Sequence, residues 1–219
     1  MIADLIARHH GVILDGLLTT VMLVGGGFAV GALAGAALAV PLTSRRALPR
    51  WAVRGFVAAV RNTPFLIQAM LLFALFGVLR LRLEPALVGG AAVAIYTAAY
   101  MAEIVRGALY SIPAGQWDAA RALALPWQVR LSKVIVPQLM PFVLPAGVNL
   151  LATVTKESAF LSAVSVAELT YSGQVVIAQT FRVFEVWAIV GLLYLALVLA
   201  VLGLAQRLER RLRWVVSTG

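Results

Sequence analysis

The chain has 219 residues, of which 62% are hydrophobic and only 12% are charged. Soluble domains are about half apolar and about a quarter charged, so this composition excludes a disordered tail and an ordinary water-soluble enzyme. The absence of cysteine excludes disulfide scaffolds and thiolate metal sites. The formal charge of +9 would suit a nucleic-acid binder. In so apolar a chain, however, we interpret the basic residues as markers of cytoplasmic loops and expect no nucleic acid.

Charge-free stretches predict an all-α membrane protein with five transmembrane helices, because a spanning helix takes about 20 apolar residues. In chain order the predicted spans are residues 16–44, 62–79, 85–102, 134–155 and 186–206. They occupy most of the chain, so we expect one membrane domain over residues 1–219 and no separate catalytic domain.

The distribution of Lys and Arg predicts the orientation, because cytoplasmic loops carry the excess of positive charge. One side of the predicted bilayer has Arg45, Arg46, Arg50, Arg54, Arg121, Arg130, Lys133, Arg207, Arg210, Arg211 and Arg213. The other side has Arg8, Arg80, Arg82 and Arg182. We therefore expect the N-terminus outside, the C-terminus in the cytoplasm, and the connection between spans three and four in the cytoplasm.

The first span carries Gly25-Gly26-Gly27 and a Gly31-x-x-x-Gly35 spacing, and the third carries Gly89-Gly90. Small residues at such spacings let helices approach closely, so we interpret these glycines as packing seams.

The segment Arg61-Asn62-Thr63-Pro64 stands at the start of the second span. Thr63 is suited to cap a helix and Pro64 to occupy its first position, which favours a simple helix start. The alternative is a break in a longer helix that begins near Trp51, with Arg61 lining a cavity.

Two further side-chain pairs sit near the predicted ends of spans. Glu103 and Arg106 are three residues apart and are predicted to form an ion pair along one helix face. His9 and His10 lack a nearby third ligand, so we expect a solvated surface and no metal site.

A short cytoplasmic segment is delimited by Pro113, which suits a helix start, and Pro126, which disfavours helix before it. It offers small alanines, the large side chain of Trp117 and a predicted Asp118–Arg121 pair. These residues fit a docking helix for a partner and fit equally a helix that lies flat on the lipid headgroups.

The end of the fourth span has a polar stripe at helical spacings, made of Asn149, Thr153, Lys156 and Glu157. Polar groups beside an apolar span are costly and usually face a bundle interior or a water-filled cavity. The stripe predicts a translocation pathway, and the alternatives are an internal pair that fixes helix packing or a span that ends at the interface.

These segments resemble a known family. The pattern Asp118-Ala-Ala-x3-Ala124-x9-Val134-x-Val136-Pro137 resembles the Glu-Ala-Ala-x3-Gly-x9-Ile-x-Leu-Pro motif of bacterial ABC importer permeases. Residues 61–68, 102–107, 115–120, 136–138 and 167–170 resemble segments of the polar amino-acid uptake subfamily. The departures are Asp118 for Glu, Ala124 for Gly, Asn62 for Gly, and Lys156-Glu-Ser-Ala for Lys-Asp-Thr-Ser.

The resemblance implies a permease of the type I importer fold in the bacterial cytoplasmic (inner) membrane, carrying a polar amino acid. It also implies a second permease copy or paralogue, two cytoplasmic ATPase subunits and an extracytoplasmic substrate-binding protein. Residues 112–137 would be the coupling segment. The implied ATPase-docking residues are Gly115, Gln116, Trp117, Asp118, Ala119, Ala120, Arg121, Ala124 and Pro126. The expected substrate-pathway residues are Arg61, Asn149, Thr153, Lys156 and Glu157.

The chain has no Gly-x4-Gly-Lys-Ser/Thr phosphate loop, so we expect ATP and Mg to bind the partner ATPase, with no cofactor and no catalytic residue here. The alternative function is a gradient-driven secondary transporter or channel acting as a homodimer, in which Glu157 is the candidate ion-binding group.

Overall fold

The computed structural model describes residues 2–44 and 46–216, and all regular secondary structure in those ranges is helical. The longer helices are α1 (Ile2–Leu42), α2 (Ala47–Arg61), α3 (Phe65–Val78), α4 (Pro85–Ser111), α5 (Ala114–Ala122), α7 (Val136–Glu157), α8 (Leu169–Thr180) and α9 (Val183–Val216). A short α6 (Trp127–Val129) and a π-helical turn (Arg130–Ile135) precede α7, and a 3₁₀ helix (Ser158–Val164) follows it. Arg45 and the side chains of Arg210, Arg211 and Arg213 lie outside the described residues.

The predicted all-α membrane fold is confirmed. Four helical stretches of the described chain are long and apolar enough to cross a bilayer: Ala7–Leu42, Pro85–Ser111, Trp127–Val164 and Val183–Leu204. A fifth span is reached when α2 and α3 are counted together, although their axes are bent by 110°. The helices outrun the predicted spans because they accommodate ion-paired charges such as Glu103–Arg106. Helix α4 continues to Ser111, nine residues beyond the predicted end of its span at residue 102.

The predicted simple start of the second span at Thr63 is wrong. Helix α2 already begins at Ala47, and α3 is only 14 residues long. Fourteen residues span about 21 Å, less than the roughly 30 Å of hydrocarbon in a bilayer. Thr63 Oγ1 donates to the carbonyl of Ala59 at 2.8 Å, so it does not cap α3. The alternative of an interrupted longer helix describes the structure.

The break between α2 and α3 follows from Pro64, which disfavours helical geometry at the residue before it. The backbone carbonyls that the break leaves without helical partners accept hydrogen bonds from a nearby side chain. Gln68 Nε2, one turn into α3, donates to the carbonyls of Val60 and Thr63, both at 2.7 Å. A helix interrupted at membrane depth needs such replacement partners, since water is scarce there.

Helices α1 and α4 form the most extensive helix pair. Gly27, Gly31 and Gly35 line the seam, and a Cβ at any of them would come within 2.4–2.7 Å of α4 atoms. The predicted glycine seam is therefore confirmed at these three positions. Gly25 and Gly26 face open space, so their part of the prediction is wrong.

The second predicted seam, at Gly89-Gly90, is right for only one of the two glycines. A Cβ at Gly89 would contact the side chains of Leu23, Leu161 and Val166 at 3.1–3.3 Å, whereas a Cβ at Gly90 would meet open space.

Three apolar clusters hold the helices together. The largest joins α1, α2, α3, α4 and α7, and includes Phe65 packed edge-on to Tyr96 with ring centroids 5.3 Å apart. The second joins α1, α8 and α9 around Leu169 and Val186. The third lies at the end of α4 that leads into α5, around Ile112 and Ile135. The candidate sites lie beside the first and third clusters.

Candidate transport and docking sites

Helix α5 is the short helix predicted between the third and fourth spans. It begins directly after Pro113 and has nine residues. Most of its surface is open: Gln116, Asp118, Ala119 and Arg121 are all exposed. Arg121 Nη2 lies 2.5 Å from Asp118 Oδ1, which confirms the predicted pair. The helix therefore presents an exposed, mostly polar face that carries one ion pair.

The underside of α5 packs on its own chain. Trp117 is half-buried against the third apolar cluster, beside Ile112 and Ile135. Ala120 is only 3% exposed. Both residues belong to the expected docking surface, but Ala120 is buried and Trp117 packs against α4 and the π-helical turn. A partner would meet the opposite side of the helix.

The turn after α5 depends on Ala124, which has a left-handed backbone with φ 49°. Its N–H donates to the Arg121 carbonyl at 2.9 Å, and the N–H of Leu125 donates to the Ala120 carbonyl at 3.2 Å. Glycine adopts this conformation without the steric cost that alanine carries. The structure thus gives a physical reason for the Gly at this position of the motif, which this chain lacks.

A cavity of about 490 Å³ lies between α2 and α4. Its lining residues are Arg54, Val57, Ala58, Arg61, Asn62, Tyr100, Glu103 and Arg106. Arg106 donates to Glu103 Oε2 through Nη2 at 2.6 Å and through Nε at 3.0 Å, which confirms the predicted ion pair. Arg61 Nη1 approaches the same oxygen at 3.9 Å. Arg61 therefore lines a cavity, as the alternative interpretation of its segment expected.

Two stacked tyrosine rings of α4 lie beside this cavity. The Arg61 guanidinium lies 5.2 Å from the centroid of the Tyr100 ring, and Tyr100 packs on Tyr96 with centroids 4.5 Å apart. The Tyr96 hydroxyl is near enough to Glu157 for an electrostatic interaction. Two stacked tyrosine rings of α4 thus extend from Arg61 along the helix.

The polar stripe of α7 occupies its last three turns. Asn149 and Lys156 are exposed on the single chain, and Thr153 and Glu157 are half-buried. Thr153 Oγ1 donates to the Asn149 carbonyl at 2.9 Å. The described lining of the α2–α4 cavity includes none of these four residues, so the structure puts Arg61 in one place and the stripe in another, with the tyrosines between them.

Residues 27–214 match the family of the binding-protein-dependent transport system inner membrane component. The chain belongs to this family. It is 34% identical over 200 residues to the glutamine transport system permease protein of Escherichia coli K12, covering 89% of this chain and 88% of that one. It is 30% identical over 202 residues to the arginine transport system permease protein of Bacillus subtilis 168, covering 92% of each.

Solved structures of ABC transporters have the same fold as this chain. A crystal structure of an amino acid ABC transporter with histidines superposes with a TM-score of 0.85 at 28% identity, covering 94% of this chain and 96% of that one. The methionine ABC transporter in an inward-facing conformation has the same fold, with a TM-score of 0.73 at 23% identity over 95% of this chain and 96% of that one. The predicted type I importer fold is confirmed, and the chain is an amino-acid ABC importer permease of the inner membrane.

This permease also contains a buried carboxylate whose role the sequence did not reveal. Glu168 is fully buried between α1, α8 and α9. Its Oε1 accepts from the Tyr171 N–H at 2.8 Å and so caps α8, and its Oε2 accepts from the Tyr194 hydroxyl at 2.5 Å. Burial raises the pKa of the Glu168 carboxyl, and the hydrogen bonds from Tyr194 and the backbone partly offset that rise. In the sequence, residues 167–170 carry only a resemblance to the family, since nothing in them points to Tyr194.

The same junction ties α8 to α1. The Leu169 N–H donates to Thr20 Oγ1 at 3.0 Å, and Thr20 Oγ1 donates to the Gly16 carbonyl at 3.0 Å. A Cβ at Gly16 would come 2.2 Å from Ser172 Oγ, so this crossing needs glycine.

His9 and His10 lie near the start of α1. His10 Nδ1 lies 3.0 Å from the carbonyl oxygen of Ala7, one turn earlier in α1. His9 lines a small cleft with Arg8 and Arg182. Across the part of the chain that the structure describes, there is no group of three potential metal ligands.

Proposed function

We propose that this permease forms the translocation pathway for a polar amino acid and is driven by an ATPase partner through residues 112–137. The observation that carries the proposal is α5, a nine-residue helix with an exposed outer face and an anchored inner face. A helix this short is marginal in water by itself, so its order comes from packing on the rest of the chain.

The coupling step follows from where α5 is attached. Trp117 fixes it to the cluster that joins the end of α4 to the turn before α7, and Gln138 Nε2 of α7 lies 3.3 Å from Gln116 Oε1. A force on α5 therefore acts on two spans at once. When ATP closes the two partner ATPase subunits, the paired α5 helices move together, and α4 and α7 carry that motion to the pathway. Hydrolysis on the partner, which holds ATP and Mg, resets the cycle.

The proposed docking surface is the outer side of this segment. Gly115, Gln116, Asp118, Ala119, Arg121, Ala124 and Pro126 are exposed and would meet the ATPase. Trp117 and Ala120, which complete the expected set, support the surface from below.

The proposed pathway runs past the polar groups of α2, α4 and α7. Asn149, Thr153, Lys156 and Glu157 form its α7 wall, and Arg61 lies in the cavity beside α4. Exposing polar side chains such as Asn149 and Lys156 to lipid is costly, which favours a second permease copy or paralogue facing them. The substrate-binding protein would deliver the amino acid at the opposite end from α5.

The orientation rests on the basic residues. Arg121, Arg130 and Lys133 flank α5, and Arg46, Arg50 and Arg54 lie between α1 and the break. The positive-inside tendency then puts α5 in the cytoplasm and the N-terminus outside.

The test is ATP-dependent amino-acid uptake by the permease and its ATPase partner in proteoliposomes. Asp118→Arg should abolish uptake and copurification of the ATPase, because it reverses the charge on the docking face. Glu84→Arg is the matched control, since Glu84 is equally exposed but lies at the other end of α4, and it should leave both intact. Normal uptake by Asp118→Arg in an intact complex would overturn the proposal. Uptake that ionophores abolish would favour a gradient-driven transporter.

A further inference from the structure

We propose that the corner between α1 and α2 binds the phosphodiester headgroup of an anionic phospholipid through Arg46 and Arg50, while the side chains of Leu48 and Trp51 contact its acyl chains. This inference concerns neither the substrate nor the coupling step. It requires only that the chain spans a bilayer, and in the proposed orientation the leaflet concerned is the cytoplasmic one.

The corner lies where the first span leaves the bilayer. The apolar stretch of α1 ends at Leu42, and α2 begins at Ala47. Ser44 holds the connection, because its Oγ accepts from the Arg46 N–H at 3.1 Å and its carbonyl accepts from Arg50 Nη1 at 3.2 Å. Arg46 and Arg50 are four residues apart, so they lie on the same side of the start of α2. Both side chains are therefore held close to the level of the headgroups.

The two arginines carry charge that the described part of the chain does not neutralise. Between Asp15 and Glu84 the sequence contains neither aspartate nor glutamate. None of the ion pairs formed by the described residues includes Arg46 or Arg50. Within the same residues, Arg50 Nε has no hydrogen-bond acceptor. Because a guanidinium is suited to bind phosphate through two parallel hydrogen bonds, the corner offers donors and positive charge to a phosphodiester.

Two large apolar side chains are exposed beside these arginines. Leu48 is 83% exposed and Trp51 is 65% exposed, and they are neighbours on one face of α2. The Arg54 guanidinium lies 5.9 Å from the centroid of the Trp51 ring, which favours a fixed orientation of the indole. Tryptophan prefers the boundary between headgroups and hydrocarbon, where its apolar body and its polar N–H are both accommodated. Cations beside exposed apolar side chains thus match the two halves of an anionic phospholipid.

The position of the corner favours a lipid over the partner ATPase or a free phosphate ion. Helix α2 packs mainly on α1 and α4, whereas α5, the proposed docking helix, packs on the end of α4 and on the π-helical turn. Leu48 and Trp51 follow directly after the end of the first span, where hydrocarbon is available to cover them. A free phosphate ion would leave both side chains in water, which is unfavourable for exposed apolar surface.

The experiment measures which lipid contacts Trp51 in nanodiscs that hold the purified permease–ATPase complex. The bilayer is phosphatidylcholine with a small fixed fraction of phosphatidylglycerol, and one or the other lipid carries acyl-chain bromine atoms, which quench tryptophan fluorescence on contact. Subtracting the signal of Trp51→Phe isolates Trp51 from the other four tryptophans. Since one arginine near an anionic surface strengthens binding about fivefold, phosphatidylglycerol should be enriched at Trp51 by about fivefold or more over its bulk fraction.

Charge variants identify the groups that bind the headgroup. The double variant Arg46→Gln, Arg50→Gln should reduce the enrichment to nearly none, whereas Arg46→Lys, Arg50→Lys should keep most of it because the positive charge is retained. The matched control is Arg80→Gln, Arg82→Gln. It removes the same charge from exposed arginines between α3 and α4 and should leave the signal of Trp51 unchanged. Size-exclusion chromatography checks that each complex is assembled.

Five results would overturn the inference. Three concern the lipid: no enrichment in the parent, unchanged enrichment in the assembled Arg46→Gln, Arg50→Gln complex, and an equal loss in the Arg80→Gln, Arg82→Gln control. The fourth is loss of the enrichment in millimolar inorganic phosphate but not in chloride of the same ionic strength, which would assign the corner to a free phosphate. The fifth is loss of ATPase copurification by the Arg46→Gln, Arg50→Gln variant, which would assign the corner to the ATPase. None of these measurements involves uptake, so the inference and the proposed function can fail separately.

Discussion

A single methyl group added at Gly31 should push α1 and α4 apart. The Cβ of Gly31→Ala would lie 2.4 Å from the Ala94 carbonyl oxygen and 2.6 Å from Thr97 Cβ. These are a backbone atom and the first atom of a branched side chain, so rotation of a flexible end cannot relieve the clash. Overpacking of this kind typically costs about 1–3 kcal/mol.

Gly25→Ala is the matched control, because it makes the same chemical change in the same helix where nothing lies within 4 Å. Alanine is favoured over glycine inside a helix by about 0.5–1 kcal/mol, so this variant should be as stable as the parent or slightly more stable. Any destabilisation seen only in Gly31→Ala therefore reports the seam.

The assay is thermal unfolding of the detergent-purified protein, followed by tryptophan fluorescence. For a chain of this length about 1 kcal/mol corresponds to about 2–4 °C, so Gly31→Ala should lower the apparent Tm by about 2–12 °C. Gly35→Ala should behave in the same way, since its Cβ would lie 2.5 Å from the Ala98 carbonyl oxygen. Equal melting temperatures for Gly31→Ala and Gly25→Ala would refute the close-packed seam.

Three other changes test the docking segment and the buried carboxylate. Ala124→Gly should raise the free energy of unfolding by about 0.5–1 kcal/mol, because φ 49° is strained for alanine; an unchanged or lower Tm would contradict the left-handed turn. Trp117→Ala should loosen α5 from its cluster and raise several-fold the ATP hydrolysed per amino acid transported by the complex, whereas an unchanged ratio would remove Trp117 from the coupling path. Because burial raises the pKa of Glu168, the folded state holds its proton more tightly than the unfolded state. This stabilisation is complete below the unfolded pKa of about 4.3 and is lost as the pH rises through the pKa of the folded state. The stability of the parent relative to Glu168→Gln should therefore fall over that pH interval, as measured by melting curves at a series of pH values. Parallel pH dependence of the two melting temperatures would contradict this prediction.

Much of the site could be read from local spacing. The Asp118–Arg121 and Glu103–Arg106 pairs are three residues apart on single helices, so helical geometry alone brings them together. The α7 stripe follows from the same periodicity. The approach of Arg61 to Glu103 is different, because it joins α2 to α4, which lie far apart in the sequence.

Local patterns also misassigned some side chains. Trp117 and Ala120 lie in an exposed short helix, and the spacing of that helix does not say which side faces its own chain. Likewise the glycines at positions 25, 26 and 27 are equivalent in the sequence, yet only the last of them faces α4. Which face of a helix is covered is decided by its neighbours.

The amino-acid sequence by itself determined that this protein is a bundle of membrane helices with a short helix between the third and fourth crossings. The length of the apolar segments, the positions of prolines and the basic loops are local properties of the sequence. The number and orientation of the membrane spans depend on them directly. Only the tertiary structure decided that Arg54, Arg61, Glu103 and Arg106 share a cavity, and that Glu168 meets Tyr194. Those groupings require helices distant in the chain to pack at particular rotations and crossing angles, which small residues such as Gly31 permit but do not specify.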